Sequence, residues 1–102
     1  MMEGVNNQVI RVLLVEDNIA ESRLIKALLS AEKDCAFVVE NACRLEQCIG
    51  LLSSQEFDIV LLDPGLPDSG GTDSVARVRA HVPNLPIVVL TGMKDEDFAF
   101  EA

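Results

Sequence analysis

The chain has little positive charge. Eight Lys and Arg residues stand against 17 Asp and Glu, a formal net charge of −9 over 102 residues. Nucleic-acid surfaces neutralise phosphate with Lys and Arg, so no nucleic-acid contact is expected of this domain. No apolar run approaches the length of a membrane-spanning helix, and no membrane contact is expected. The opening MMEGVNNQ has neither a basic n-region nor an apolar h-region, so no signal peptide is expected. The three cysteines, Cys35, Cys43 and Cys48, make an odd count without a C-x-x-C pair, which speaks against a disulfide framework or a zinc site. Each sits beside apolar residues, and they are expected to be free thiols in small core positions of a reducing compartment. A cytoplasmic protein fits all of this. No G-x-G-x-x-G follows the first apolar run and no G-K-S/T occurs, so dinucleotide and P-loop sites are excluded.

The chain does contain a 49% hydrophobic complement, enough for the core of one domain. Its organising stretch is RVLLVED, Arg11 to Asp17. Val12, Leu13, Leu14 and Val15 read as a strand buried on both faces, the pattern of a parallel sheet's centre. The run stops on two carboxylates, Glu16 and Asp17. Open α/β folds place ligands at the C-terminal edge of such strands. Adjacent like charges raise each other's proton affinity, and a bound cation relieves that strain.

The rest alternates. Residues 1–8 read as a flexible, polar lead-in, and Val9 to Val15 is the first strand. Asn18 with Glu21 three residues on resembles a capping box, opening a helix to about Glu32 whose apolar face is Leu24, Ile25, Leu28 and Leu29. Cys35 to Ala42 reads as a half-polar edge strand, with Phe37 and Val39 on one side and Val38 and Glu40 on the other. Arg44 to Ser53 is a helix with Leu45, Cys48, Ile49 and Leu52 inward; Gly50 weakens it. Phe57 to Leu62 is a third strand ending on Asp63. The turn-rich PGLPDSGG leads to a short helix from Thr72 to His81, with Val75 and Val78 inward. Ile87 to Leu90 is a fourth buried strand ending on Thr91-Gly92, and Asp95 caps a last helix holding Phe98. Strand–helix alternation implies an α/β, doubly wound parallel sheet with right-handed crossovers.

Glu16-Asp17, Asp63 and Thr91 therefore all fall on one edge of the sheet. Singly, an acid after a strand can be a helix cap, and Thr91-Gly92 can be a turn. Jointly, acids end two strands and a hydroxyl ends a third, which points to a site. Oxygen-only ligands suit Mg²⁺. A carboxylate beside Mg²⁺ can also attack phosphorus to form an aspartyl phosphate.

Four elements in order, LLVEDN (Leu13 to Asn18), IVLLD (Ile59 to Asp63), LPDSGG (Leu66 to Gly71) and PIVVLTG (Pro86 to Gly92), resemble the receiver domain of two-component response regulators. The resemblance spans nearly the whole chain after residue 8. It implies a flavodoxin-like receiver fold with strand order 2-1-3-4. It implies that Asp63 is the phosphoacceptor and that Glu16, Asp17 and Asp63 hold Mg²⁺ with the backbone carbonyl of Gly65. Thr91 is then the switch hydroxyl, and Gly92 the small residue that lets the phosphoryl group approach. The phosphodonor is a sensor histidine kinase or phosphotransfer protein, and the chain is a phosphoacceptor rather than an enzyme. His81, near a helix end where partial positive charge is favourable, has no such role.

Some positions depart from that pattern. Pro64 follows the phosphoacceptor, stiffening the loop and removing one N–H. Thr72 replaces an apolar residue at the third helix. The family's fifth strand, with its lysine, and its fifth helix have no counterpart, and Lys94 lies in the wrong place for that lysine. The reading for residues 9–102 is a receiver truncated at its C-terminus, whose open strand edge at Ile87–Leu90 makes a homo-oligomer the expectation. The alternative is a receiver-like interaction or dimerisation module that works without phosphorylation. A D-x-D aspartyl-phosphate hydrolase is rejected because position 65 is Gly.

Overall fold

The computed structural model describes residues 8–63, 66 and 73–90. In chain order its elements are β1 (Val9–Val15), α1 (Ile19–Ser30), β2 (Ala36–Ala42), α2 (Leu45–Ser54), β3 (Ile59–Leu62), α3 (Asp73–His81) and β4 (Ile87–Val89). The four strands form one sheet in the order β2-β1-β3-β4, with every pairing parallel. The α/β parallel sheet and its 2-1-3-4 order are those expected from the sequence.

The position of β1 follows from its composition. Val12, Leu13, Leu14 and Val15 are each at most 1% exposed, so both faces of the strand are covered. Burial of such a side chain stabilises by about 1.5–3 kcal/mol, which makes this strand the natural centre of the sheet. Leu13 and Val15 join Val60 and Leu62 of β3, Ala42 of β2, Leu45, Cys48 and Leu52 of α2, Val78 of α3 and Leu66 in one core cluster. Val12 and Leu14 point to the other face, where Ile25 of α1 is also buried. At the opposite end of the sheet Arg11 ties β1 to the entry of β3. Its backbone N–H donates to the Asp58 carboxylate at 2.8 Å, its guanidinium donates to Gln55 Oε1 at 2.8 Å, and it lies 5.4 Å from the Phe57 ring centroid.

Several local expectations need correction. The apolar stripe proposed for α1 is rotated: Ile25 is buried and Leu29 half-buried, whereas Leu24 is 49% and Leu28 61% exposed. Ser22 takes the inward position instead, its hydroxyl donating to the Ile19 carbonyl at 3.0 Å. The buried line is thus Ser22, Ile25, Leu29, which a reading of apolar residues alone cannot find. β3 is shorter than FDIVLL: it begins at Ile59, and Asp58 just ahead of it still donates its N–H to the Arg11 carbonyl at 2.8 Å. β4 is not a buried strand among the described residues, since Val88 is 45% and Val89 39% exposed at the edge of the sheet. Of the cysteines only Cys48 is core; Cys35 is half-buried and Cys43 exposed, and all three are free. The expectations for residues 1–7, Pro64, Gly65, residues 67–72 and the segment from Thr91 to Ala102 fall outside the described residues.

Candidate metal and phosphoacceptor site

The acids meet because of strand register. Val15 of β1 pairs with Leu62 of β3 on one side and with Ala42 of β2 on the other. The next residue on β1 is Glu16 and the next on β3 is Asp63, so both leave the sheet at the same level. The backbone continues the ladder one step further: Asp63 N–H donates to the Val15 carbonyl at 2.9 Å, and Glu16 N–H donates to the Ala42 carbonyl at 2.9 Å. One ligand oxygen from each of Glu16, Asp17 and Asp63 lies within 4.8 Å of the others. Glu16 is 3% exposed, Asp17 is exposed and Asp63 half-buried. The cluster therefore has a closed side and an open mouth.

The turn after β1 is held by the start of α1. The Asn18 side chain caps the helix by accepting from Glu21 N–H at 3.0 Å, and the Asn18 carbonyl accepts from Ser22 N–H at 3.0 Å. The Asn18 backbone N–H meanwhile donates to Glu16 Oε2 at 3.1 Å. The cap expected at Asn18 is present, and the same residue helps fix the Glu16 carboxylate. On the other flank, Asn41 of β2 places its carboxamide nitrogen 2.9 Å from the Leu14 carbonyl, 3.3 Å from that of Ala42 and 3.4 Å from that of Glu16. Sequence reading passed over Asn41. The signal was an amide side chain, a poor strand former, near the end of β2.

Burial pushes the Glu16 carboxyl up to about 7. The Asn18 N–H opposes that rise, while the charge of Asp63, a hydrogen bond shared with it, and the charge of Glu21 add to it. Such a carboxylate is stabilised by a cation brought against it. The donor set is oxygen only and carboxylate-rich, which suits a hard divalent ion and fits Mg²⁺, with water completing the coordination. Glu16, Asp17 and Asp63 are thus brought together as the sequence reading required. Thr91, Gly92 and Gly65 lie outside the described residues. An open cavity of about 680 Å³ beside Leu29, Lys33 and Phe37 shares no residue with the cluster. His81 ends α3 with its Nε2 at 2.9 Å from the Ser53 hydroxyl, also away from the acids. Among the described residues no helix is long and apolar enough to cross a membrane.

Comparison with known proteins agrees with this architecture. The family model described as the response regulator receiver domain matches residues 12–102. The cell cycle transcriptional regulator CtrA of Caulobacter vibrioides is 34% identical over 87 residues, covering 85% of this chain and 36% of that protein. The cell cycle response regulator CtrA of Brucella ovis is 36% identical over 83 residues, covering 81% of this chain and 34% of that protein. The chain thus spans about a third of the length of these curated relatives. A two-component response regulator of the LuxR family from Aurantimonas sp. SI85-9A1 superposes with a TM-score of 0.69 at 23% identity, covering 80% of this chain and 58% of that one. The Francisella response regulator 1452 receiver domain gives a TM-score of 0.67 at 19% identity, covering 86% and 70%. The shared fold and the family match together place this chain in the response regulator receiver domain family of two-component systems.

Proposed function

We propose that the chain accepts a phosphoryl group on Asp63 from a phosphohistidine of a sensor histidine kinase or phosphotransfer protein. The observation that carries this reading is the convergence of Glu16, Asp17 and Asp63 within 4.8 Å at the ends of two adjacent strands. In the transfer an Asp63 carboxylate oxygen bonds to phosphorus as the P–N bond of the donor breaks. The imidazole nitrogen keeps the electron pair and takes up a proton. Mg²⁺, when bound, would supply positive charge to the phosphoryl oxygens. Glu16 and Asp17, just past the end of β1, and Asp63, just past β3, would hold the cation, so the nucleophile and the charge that steadies its product would share one frame. On the family pattern Gly65 would add a backbone carbonyl to the metal site, Thr91 would bring its hydroxyl to the phosphoryl group, and Gly92 would leave room for it. The domain acts as a signalling phosphoacceptor, with self-catalysed transfer and dephosphorylation at most.

Further parts of this reading concern place and partners. Three free thiols fit the cytoplasm. The −9 charge disfavours nucleic-acid contact by this domain. Residues 9–102 act as the receiver unit after a short lead-in. β4 is paired on one side only among the described residues and carries exposed Val88 and Val89, so self-association through Ile87–Leu90 is proposed.

Intact-mass spectrometry after incubation with acetyl phosphate and Mg²⁺ tests the phosphoacceptor reading. One added phosphoryl group is expected, with none in EDTA. No mass gain at any Mg²⁺ concentration would refute it and leave the interaction module as the surviving role.

A further inference from the structure

We infer that Asn41 is a positioning residue for the cation site, holding the backbone beneath Glu16 and Asp17 from the neighbouring strand. The inference rests on the reading that these acids bind Mg²⁺.

Asn41 pairs with Leu14 across β2 and β1, so the two side chains share a face of the sheet. Its Nδ2 is surrounded by three carbonyls, those of Leu14 at 2.9 Å, Ala42 at 3.3 Å and Glu16 at 3.4 Å. Carbonyls only accept, so the amide nitrogen is the atom that faces them. That nitrogen has two hydrogens. The shortest of the three distances is to Leu14, and the carbonyls of Ala42 and Glu16 lie within reach of the same nitrogen. The Glu16 carbonyl belongs to the peptide that links the two acids. Its orientation sets where the Asp17 Cα begins relative to Glu16. The Glu16 N–H is already fixed by the Ala42 carbonyl at 2.9 Å and its carboxylate by the Asn18 N–H at 3.1 Å. Asn41 supplies the remaining restraint, on the carbonyl side. It is not one of the clustered acids, and its effect would pass through the Glu16–Asp17 peptide.

Mg²⁺ demands near-ideal octahedral geometry, whereas Ca²⁺ accepts 6–8 oxygens loosely arranged. Loss of a positioning group should therefore weaken Mg²⁺ more than Ca²⁺. A residue that only stabilises the fold would move both affinities together, or neither. This separates the two roles.

The test is calorimetric titration of the chain with Mg²⁺ and, separately, with Ca²⁺, for the wild type and for Asn41→Leu. Leucine has a similar size and no donor. Asn41→Thr, a better strand former that falls short of the carbonyls, serves as the second variant should the first fail to fold. Groups that orient metal ligands typically contribute about tenfold in affinity. The Mg²⁺ Kd is expected to rise about tenfold, with the Ca²⁺ Kd changing less than about threefold. An unchanged Mg²⁺ Kd in a folded variant would overturn the inference, and so would equal weakening of both ions. A wild-type chain that binds neither ion would overturn the acid-site reading and this inference with it.

Discussion

Mg²⁺ binding at the acid cluster should weaken about tenfold between pH 8 and pH 6, because the buried carboxyl must lose its proton first. The Glu16 carboxyl lies at about 7, raised chiefly by burial and further by Asp63, against the pull of the Asn18 N–H. A group with that value is about nine-tenths ionised at pH 8 and about one-tenth ionised at pH 6. The cation competes with the proton, so the apparent Kd should rise by about tenfold, equivalent to about 1.4 kcal/mol. At pH 7 about half a proton should be released per ion bound. Isothermal titration at three pH values, each in two buffers of different ionisation enthalpy, reads both quantities. Glu16→Gln should flatten the dependence in this window and weaken binding at pH 8. The linkage to folding has a definite sign. The folded value lies above the ordinary 4.5, so the stability contributed by protonated Glu16 is full below about pH 4.5 and is lost as pH rises through about 7. The metal-free chain should thus melt lower at pH 7.5 than at pH 5.5, and saturating Mg²⁺ should narrow that gap. A Kd constant within twofold from pH 6 to pH 8, with no proton release, would refute the reasoning.

Other expectations follow from packing. Leu13→Ala removes a fully buried side chain from the central strand and should cost about 3–4 kcal/mol in urea unfolding. Leu28→Ser on α1, where the residue is 61% exposed, should cost under about 1 kcal/mol; a loss comparable to Leu13→Ala would restore the apolar stripe first read from the sequence. Gly50 sits mid-helix in α2 with nothing within 4 Å of an added Cβ, so Gly50→Ala should stabilise by about 0.5–1 kcal/mol and raise the thermal midpoint. An unchanged or lower midpoint would contradict that.

The central sheet was legible because its strands carry an unambiguous signal. Val12 to Val15 could be satisfied only by burial on both faces, and the alternation of elements left few topologies. The convergence of Glu16, Asp17 and Asp63 followed at once, since parallel strands share a C-terminal edge. What could not be read depended on contacts across the sequence. Ser22 can sit on the inward face of α1 because its hydroxyl is satisfied by the Ile19 carbonyl, whereas Leu24 and Leu28 are exposed. The contacts that Arg11 makes with Phe57 and Asp58, 46 and 47 residues away along the chain, were likewise invisible in local pattern. Asn41 looked like an ordinary edge-strand residue until its carboxamide was placed among three carbonyls. Cys43, too, is exposed rather than core, at the turn into α2, with its N–H donating to Gln47 Oε1 at 2.9 Å.

The most direct test of the central claim is chemical location of the phosphoryl group. The chain would be treated with acetyl phosphate and Mg²⁺ and then reduced with borohydride, which converts an aspartyl phosphate to homoserine. Peptide mapping then reads the residue. Homoserine is expected at position 63, and none there in Asp63→Asn or in EDTA. Reduction product at another acid, or at none while Mg²⁺ is bound, would contradict the assignment of Asp63 as phosphoacceptor.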